Sequence, residues 1–250
     1  MSHLPVTPHD FAAALDRLEA VTRRFASAAD RVRDWTAPVP TCPGWTAHTL
    51  VVHLGLIHTW AASAIGAEHA PEDPPFEDDG APLPEWYRGR AAGLLAALRD
   101  AGPEAQAWTL WGDRVAAFWA RRQFHETAVH EFDLASALTA GAGDPVAWSI
   151  PGDLALDGLD EVLTGFYPRQ VRLGRTPGLP AVVRFSVQTD DGEPVASLDA
   201  PAFGGGTEGP VLGIVAGTAR ELYLAVWGRG EFPGASPELV ETIRGTKLTP

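Results

Sequence analysis

Hydrophobic spacing changes character once along this chain, near residue 170, and that change constrains the fold more than any other feature. Before it, apolar side chains recur at three- and four-residue steps, the mark of helices packed on one face. Phe11, Leu15, Leu18, Val21 and Phe25 form such a stripe within 8 to 29. Segment 46 to 65 opens at Thr46, a good N-cap, and stops at Gly66. It is apolar on most sides, with Leu50, Val51, Leu54, Ile57 and Ile65, which suits the inside of a bundle. Residues 68 to 84 read as a Pro-rich acidic surface loop. Further helical patterns run from 85 to 101, from 113 to 140, and from about 153 to 166 after Pro151 and Gly152.

Beyond residue 170 the texture is β-prone. Val182, Val183, Phe185 and Val187 lead to the turn residues Asp190, Asp191 and Gly192, and Val195 to Leu198 reads as the returning strand. Gly204 to Gly206 is a flexible break, and Val211 to Val215 is a further strand. Thr218 with Glu221 matches a capping box that opens a helix through Leu222, Leu224 and Trp227. The expected architecture is therefore α+β: a helical domain over residues 1–168 and a small α+β domain over residues 169–250.

Charge and cysteine content narrow the function. A net charge of −13 opposes the basic surface that nucleic-acid binding needs, and equally opposes docking on an anionic membrane. The single cysteine, Cys42, excludes an internal disulfide and any multi-cysteine zinc or iron–sulfur site. No run of about 18 apolar residues is present, and the first residues lack the basic-then-apolar pattern of a signal peptide. A soluble cytoplasmic protein is expected.

Of eight histidines, His3 and His9 lie near the terminus and His69 in the acidic loop. His48, His53 and His58 share the second helical segment, and His125 and His130 share the fourth. Glu126 and His130, four residues apart, point within about 40° of each other, so both can reach one ion. The zincin pattern HExxH fails here, because it needs histidine where Val129 stands. A third ligand must then come from another helix. His53, flanked by Val52, Leu54 and Ile57, fits, since a buried imidazole without a partner costs about 1–3 kcal/mol. His53 and His58 are about 140° apart and do not share an ion. A plainer reading stands beside this one and is commoner on spacing alone. Glu126 and His130 form a surface hydrogen bond, Arg121, Arg122 and Glu126 form a solvated helix face, and Cys42 is a structural residue in a turn with Pro43 and Gly44.

Two segments shift that balance: Thr41-Cys42-Pro43-Gly44-Trp45-Thr46 running into Val51-Val52-His53-Leu54-Gly55, and Arg121-Arg122-Gln123-Phe124-His125-Glu126-Thr127-Ala128-Val129-His130-Glu131-Phe132-Asp133. Together they resemble the mycothiol-dependent maleylpyruvate isomerase family, part of the wider DinB-like set of metal-binding four-helix bundles. Gly217-Thr218-Ala219-Arg220-Glu221-Leu222 and Val226-Trp227-Gly228-Arg229 are similar, more weakly, to that family's small sterol-carrier-like second domain. The resemblance implies a divalent metal, zinc, held by His53, Glu126 and His130. It also implies mycothiol as a thiol cofactor between the two domains. Arg229 is favoured over Arg220 as the arginine that reaches this cleft, in catalysis and in cofactor binding. Trp45 braces the turn before the metal helix and lies on the cofactor side. Asp133 either orients a ligand or forms a surface salt bridge, and His58 is expected to pack against Trp60.

The implied chemistry is activation of a thiol for addition to a small electrophile, with maleylpyruvate-type cis–trans isomerisation as the leading case. A thiol S-transferase, a metal-dependent hydrolase using water, and a non-catalytic ligand-binding module are the alternatives. The protein is expected to act as a monomer or homodimer.

Overall fold

The computed structural model describes residues 8–77, 80–142, 148–204 and 206–250. His3, the first residues read for a signal peptide, Asp78 and Asp79 of the acidic loop, and Gly205 of the glycine run lie outside the described residues. Helices dominate, with one small sheet late in the chain. The chain divides into two compact units, Met1–Trp148 and Ser149–Pro250.

The first unit is a four-helix bundle of α1 (Pro8–Ala29), α2 (Ala47–Ser63), α3 (Leu83–Ala101) and α4 (Ala117–Ala142). Helix α1 packs on α4 and α3, and α2 packs on α3 and α4. The expected α1 stripe is the buried one: Phe11, Leu15, Leu18, Val21 and Phe25 all face the core. Phe25, Leu50, Leu54, Tyr87 and Leu134 meet at its centre. Thr46 caps α2 by accepting from the Thr49 amide, as its position predicts. Gly55 lets α3 approach α2 closely, since a Cβ there would sit 2.2 Å from the Trp86 ring. Helix α4 starts at 117 rather than 113. The residues before it are held in an extended pairing, where the Ala107 amide donates to the Arg114 carbonyl and Gln106 bridges to Val115.

The second unit begins before residue 169. Helices α5 (Gly152–Asp160) and α6 (Tyr167–Arg172) are joined by the π-helical turn Glu161–Phe166. Helix α5 packs on α7 (Ala219–Val226), so this stretch belongs with the second unit and the division falls at 148/149. Helical periodicity signalled a helix here but could not say which core it joins. The sheet runs β2 (Pro194–Ala200), β1 (Val182–Gln188), β3 (Val211–Thr218), with β1 antiparallel to β2 and parallel to β3. Val183, Phe185 and Val187 of β1 point into the core, as period-2 alternation requires. The capping box of Thr218 and Glu221 is formed. A last helix, α8 (Pro237–Thr246), was not expected; Ser236 caps it and Pro237 opens it.

Among the described residues, no helix is long and apolar enough to cross a membrane.

Candidate metal centre

Helices α2 and α4 bring three predicted residues together. His53 Nε2 lies 3.5 Å from Glu126 Oε1, and His130 Nε2 lies 3.3 Å from the same oxygen. The three donor atoms all fall within 4.8 Å of one another. These separations are at or beyond the long limit of a nitrogen–oxygen hydrogen bond. They match the edge of a tetrahedron, about 3.3 Å when metal–ligand bonds are about 2.0–2.1 Å. Two imidazoles and a carboxylate thus fit a divalent ion with room for a further ligand.

Glu126 is not on a solvated face with Arg122, as the plainer reading expected. Arg122 is 2% exposed, and its guanidinium donates to Glu126 Oε2 at 2.5 Å. Burial pushes the Glu126 carboxyl up, but Arg122, His130 and His53 outweigh it and hold the group well below the usual carboxylate range. One oxygen is therefore committed to Arg122 and the other turned to the histidines. The i, i+4 spacing of Arg122 and Glu126 was the available signal; its burial was not legible, because the helix is apolar on more than one side.

Behind His130 stands a fully buried carboxylate. His130 Nδ1 lies 2.8 Å from Asp133 Oδ2. Asp133 accepts from the Thr41 hydroxyl at 2.6 Å and the Cys42 thiol at 3.3 Å. Burial lowers the His130 imidazole's affinity for a proton, but Asp133, Cys42 and Glu126 more than reverse this and raise it well above the ordinary value. The CPGW turn is placed by backbone bonds between Val39 and Trp45 and between Trp45 and Cys42. The Trp45 ring lies 4.7 Å from the His53 ring and 6.0 Å from the His130 ring, centre to centre.

The other histidines go elsewhere. His58 does not pack on Trp60, which instead meets Trp108 and Trp119. His58 is fully buried, with Nδ1 2.8 Å from Gln123 Oε1 and Nε2 3.2 Å from the Tyr87 hydroxyl. Gln123 Oε1 can only accept, so Nδ1 carries the hydrogen and Nε2 accepts from Tyr87. Burial outweighs these bonds and pulls His58 down to about 4. His125 is buried beside Phe124, and His48 is exposed with its edge toward Phe76. Arg229 lies in the second unit, half-buried after α7, and donates to the Trp227 carbonyl at 2.6 Å. Arg220 is exposed at the start of α7.

Comparison with known proteins places this geometry. The family described as mycothiol maleylpyruvate isomerase N-terminal domain matches residues 14–135, the span that holds all three convergent donors and Asp133. Residues 14–135 carry this family's domain. Two solved structures are similar to it across both units: the mycothiol-dependent maleylpyruvate isomerase and a histidine-to-alanine mutant of it. The first is 18% identical with a TM-score of 0.60 and the second 17% identical with a TM-score of 0.62. Each comparison covers 90% of this chain and 92% of the other. At that identity the likeness concerns the fold, and the isomerase-family fold extends through the second unit. No curated protein matches the chain by sequence.

Proposed function

We propose that the protein is a metal- and mycothiol-dependent enzyme that activates a thiol for addition to a small electrophile, with cis–trans isomerisation of a maleylpyruvate-type substrate as its reaction. The observation that carries this reading is the convergence of His53 Nε2, Glu126 Oε1 and His130 Nε2 at metal-ligand spacing, inside the segment that matches the isomerase family. Those three residues would hold the ion, and zinc suits two imidazoles and a carboxylate. Mycothiol enters on the family's description alone. An ion and a thiol bound there would supply a sulfur anion at neutral pH, the nucleophile that thiol-dependent cis–trans isomerisation of an electron-poor double bond requires.

The chain's own residues prepare for that chemistry. Arg122 balances the negative charge of Glu126, so that carboxylate would offset less of a bound ion's charge toward an incoming sulfur. Asp133 fixes the His130 ring by accepting from Nδ1, which turns Nε2 toward Glu126 and His53, where it would coordinate an ion once its proton is displaced. Trp45 covers one side of both imidazoles and limits water there. In the second unit, Arg229 is the residue we assign to a substrate or cofactor carboxylate, an anion its fork of donors suits.

The test is elemental analysis of wild-type protein and His130→Ala, with mycothiol titrated into each by calorimetry and maleylpyruvate turnover measured alongside. About one ion per chain in the wild type, thiol binding that vanishes with His130→Ala, and thiol-dependent turnover are expected. Metal-replete wild type that neither binds mycothiol nor turns over an electrophile with it would sink the proposal.

A further inference from the structure

His130 faces two donor sets, one through each ring nitrogen. On the Nε2 side lie His53 and Glu126; on the Nδ1 side lie Cys42 and Asp133. We propose that Cys42 Sγ, Asp133 Oδ2 and His130 Nδ1 form a second, thiophilic metal position that shares His130 with the first and is filled as its alternative. This position does not rest on the proposed isomerase activity.

The geometry comes first. Cys42 Sγ and His130 Nδ1 lie 3.3 and 2.8 Å from the same Asp133 oxygen, and the three donors fall within 4.8 Å of one another. For an ion with a metal–sulfur bond of about 2.3 Å and metal–nitrogen and metal–oxygen bonds of about 2.0 Å, a tetrahedron needs a sulfur–oxygen edge of about 3.5 Å and a nitrogen–oxygen edge of about 3.3 Å. Both edges are therefore short of a coordinated set, by about 0.2 and 0.5 Å, and the Asp133 carboxylate would swing aside to admit an ion. Asp133 Oδ1 is held by the Thr41 hydroxyl, which leaves Oδ2 as the oxygen turned to the other two donors. Cys42 sits on the turn before α2, half-buried as a residue, and the three donor side chains lie buried together.

Charge distinguishes the two positions. At the first, Arg122 offsets Glu126, so a bound ion would keep more of its charge for reaction. At the second, a thiolate and a carboxylate cancel a divalent charge in full, the arrangement of a tightly held and chemically quiet ion. A soft thiolate also selects zinc, cobalt or cadmium over magnesium or calcium.

The shared imidazole makes the positions exclusive. A neutral ring has one lone-pair nitrogen. With the ion at Nε2, the hydrogen sits on Nδ1 and is donated to Asp133. With the ion at Nδ1, the ring is the other tautomer and its Nε2 hydrogen turns toward Glu126 Oε1. The ring's proton count is unchanged between the two, and the Cys42 thiol loses one proton to solvent when its sulfur takes the ion.

The chain's only cysteine makes the test clean, because any thiolate-to-cobalt charge-transfer absorption must come from Cys42. Cobalt(II) is titrated into metal-free His53→Ala, whose substitution cripples the first position at a side chain that is 31% exposed. About one ion per chain with strong near-ultraviolet thiolate-to-cobalt absorption is expected, and both ion and absorption disappear in His53→Ala/Cys42→Ser. If circular dichroism shows that His53→Ala is unfolded, His53→Leu takes its place. Cobalt bound without the thiolate absorption, or no cobalt bound, overturns the proposal. Failure of the isomerase reading shows separately, as wild-type protein that does not bind mycothiol.

Discussion

Two histidines five residues apart on α2 meet α4 in opposite ways. His53 is half-exposed, and its Nε2 lies 3.5 Å from a carboxylate oxygen shared with His130. His58 is sealed from water, and both its nitrogens are taken, by Gln123 and Tyr87, at ordinary hydrogen-bond distances. The same residue type on the same pair of helices thus serves two purposes. Where partners are uncharged and water is excluded, the imidazole stays neutral and closes a polar network in the core. Where a carboxylate and a second imidazole stand at tetrahedral spacing, it is left ready to bind an ion. The difference lies in what α4 places opposite: Gln123 at one level, Glu126 and His130 at the next.

The largest effect separates these two levels by metal. His130→Ala removes the donor common to the cluster and is expected to lower zinc affinity by more than about 100-fold, beyond what loss of an outer partner causes. His58→Gln is expected to keep about one ion per chain, since His58 already has two other partners. Elemental analysis after dialysis against a weak chelator reads both. Equal metal loss in the two variants would break the comparison.

Arg122→Met comes next. It leaves the Glu126 carboxylate without its buried counter-charge, and one-sided loss of such a pair costs about 3–5 kcal/mol. Urea unfolding of metal-free protein measures it. Zinc should recover part of the loss, because the ion supplies positive charge to the same carboxylate through its other oxygen. Stability unchanged from wild type would mean that Glu126 does not depend on Arg122.

The third effect is in pH. His58 is held to about 4 when folded, against an ordinary 6.5. Between those values the unfolded chain takes up a proton that the folded chain refuses. This group's contribution to stability is therefore whole above pH 6.5 and falls as pH drops toward 4. At about 1.4 kcal/mol per pH unit of displacement, the loss approaches about 3 kcal/mol. His58→Gln is expected to be less stable than wild type at neutral pH yet to lose less between pH 7 and 4.5. Parallel pH slopes in metal-free wild type and variant would refute the assignment of His58 as a neutral core group.

How much of this could be seen in the residues alone follows from the kind of signal each feature leaves. The α1 stripe, the Thr46 cap and the Thr218–Glu221 box were legible because they are local: a period, or a side chain three residues from its partner. The i, i+4 pair of Glu126 and His130 was legible for the same reason. His53 needed a second helix, and only its apolar neighbours and the CPGW resemblance pointed to it. The meeting of Thr41, Cys42 and Asp133 was not legible, since it depends on how a turn before α2 lies against α4, 91 or more residues away. The unit boundary slipped for a related reason: α5 carries a clear helical period, but only its packing on α7 assigns it to the second core.

The smallest effect probes how α2 is held at the end nearer His53. Thr46 accepts from the Thr49 amide and satisfies one of the donors that the first turn leaves open. Thr46→Ala removes that acceptor and is expected to cost about 1 kcal/mol in urea unfolding, whereas Thr46→Ser keeps it and should stay within a few tenths. The first turn of α2 follows directly on the CPGW turn that carries Cys42 and Trp45, while His58 lies three turns further along the helix. Fraying at Thr46 should therefore speed amide exchange near His53 and leave the network of His58, Gln123 and Tyr87 protected. Equal loosening at both levels would show that α2 responds as one rigid rod, and that His53 and His58 differ in surroundings but not in mobility.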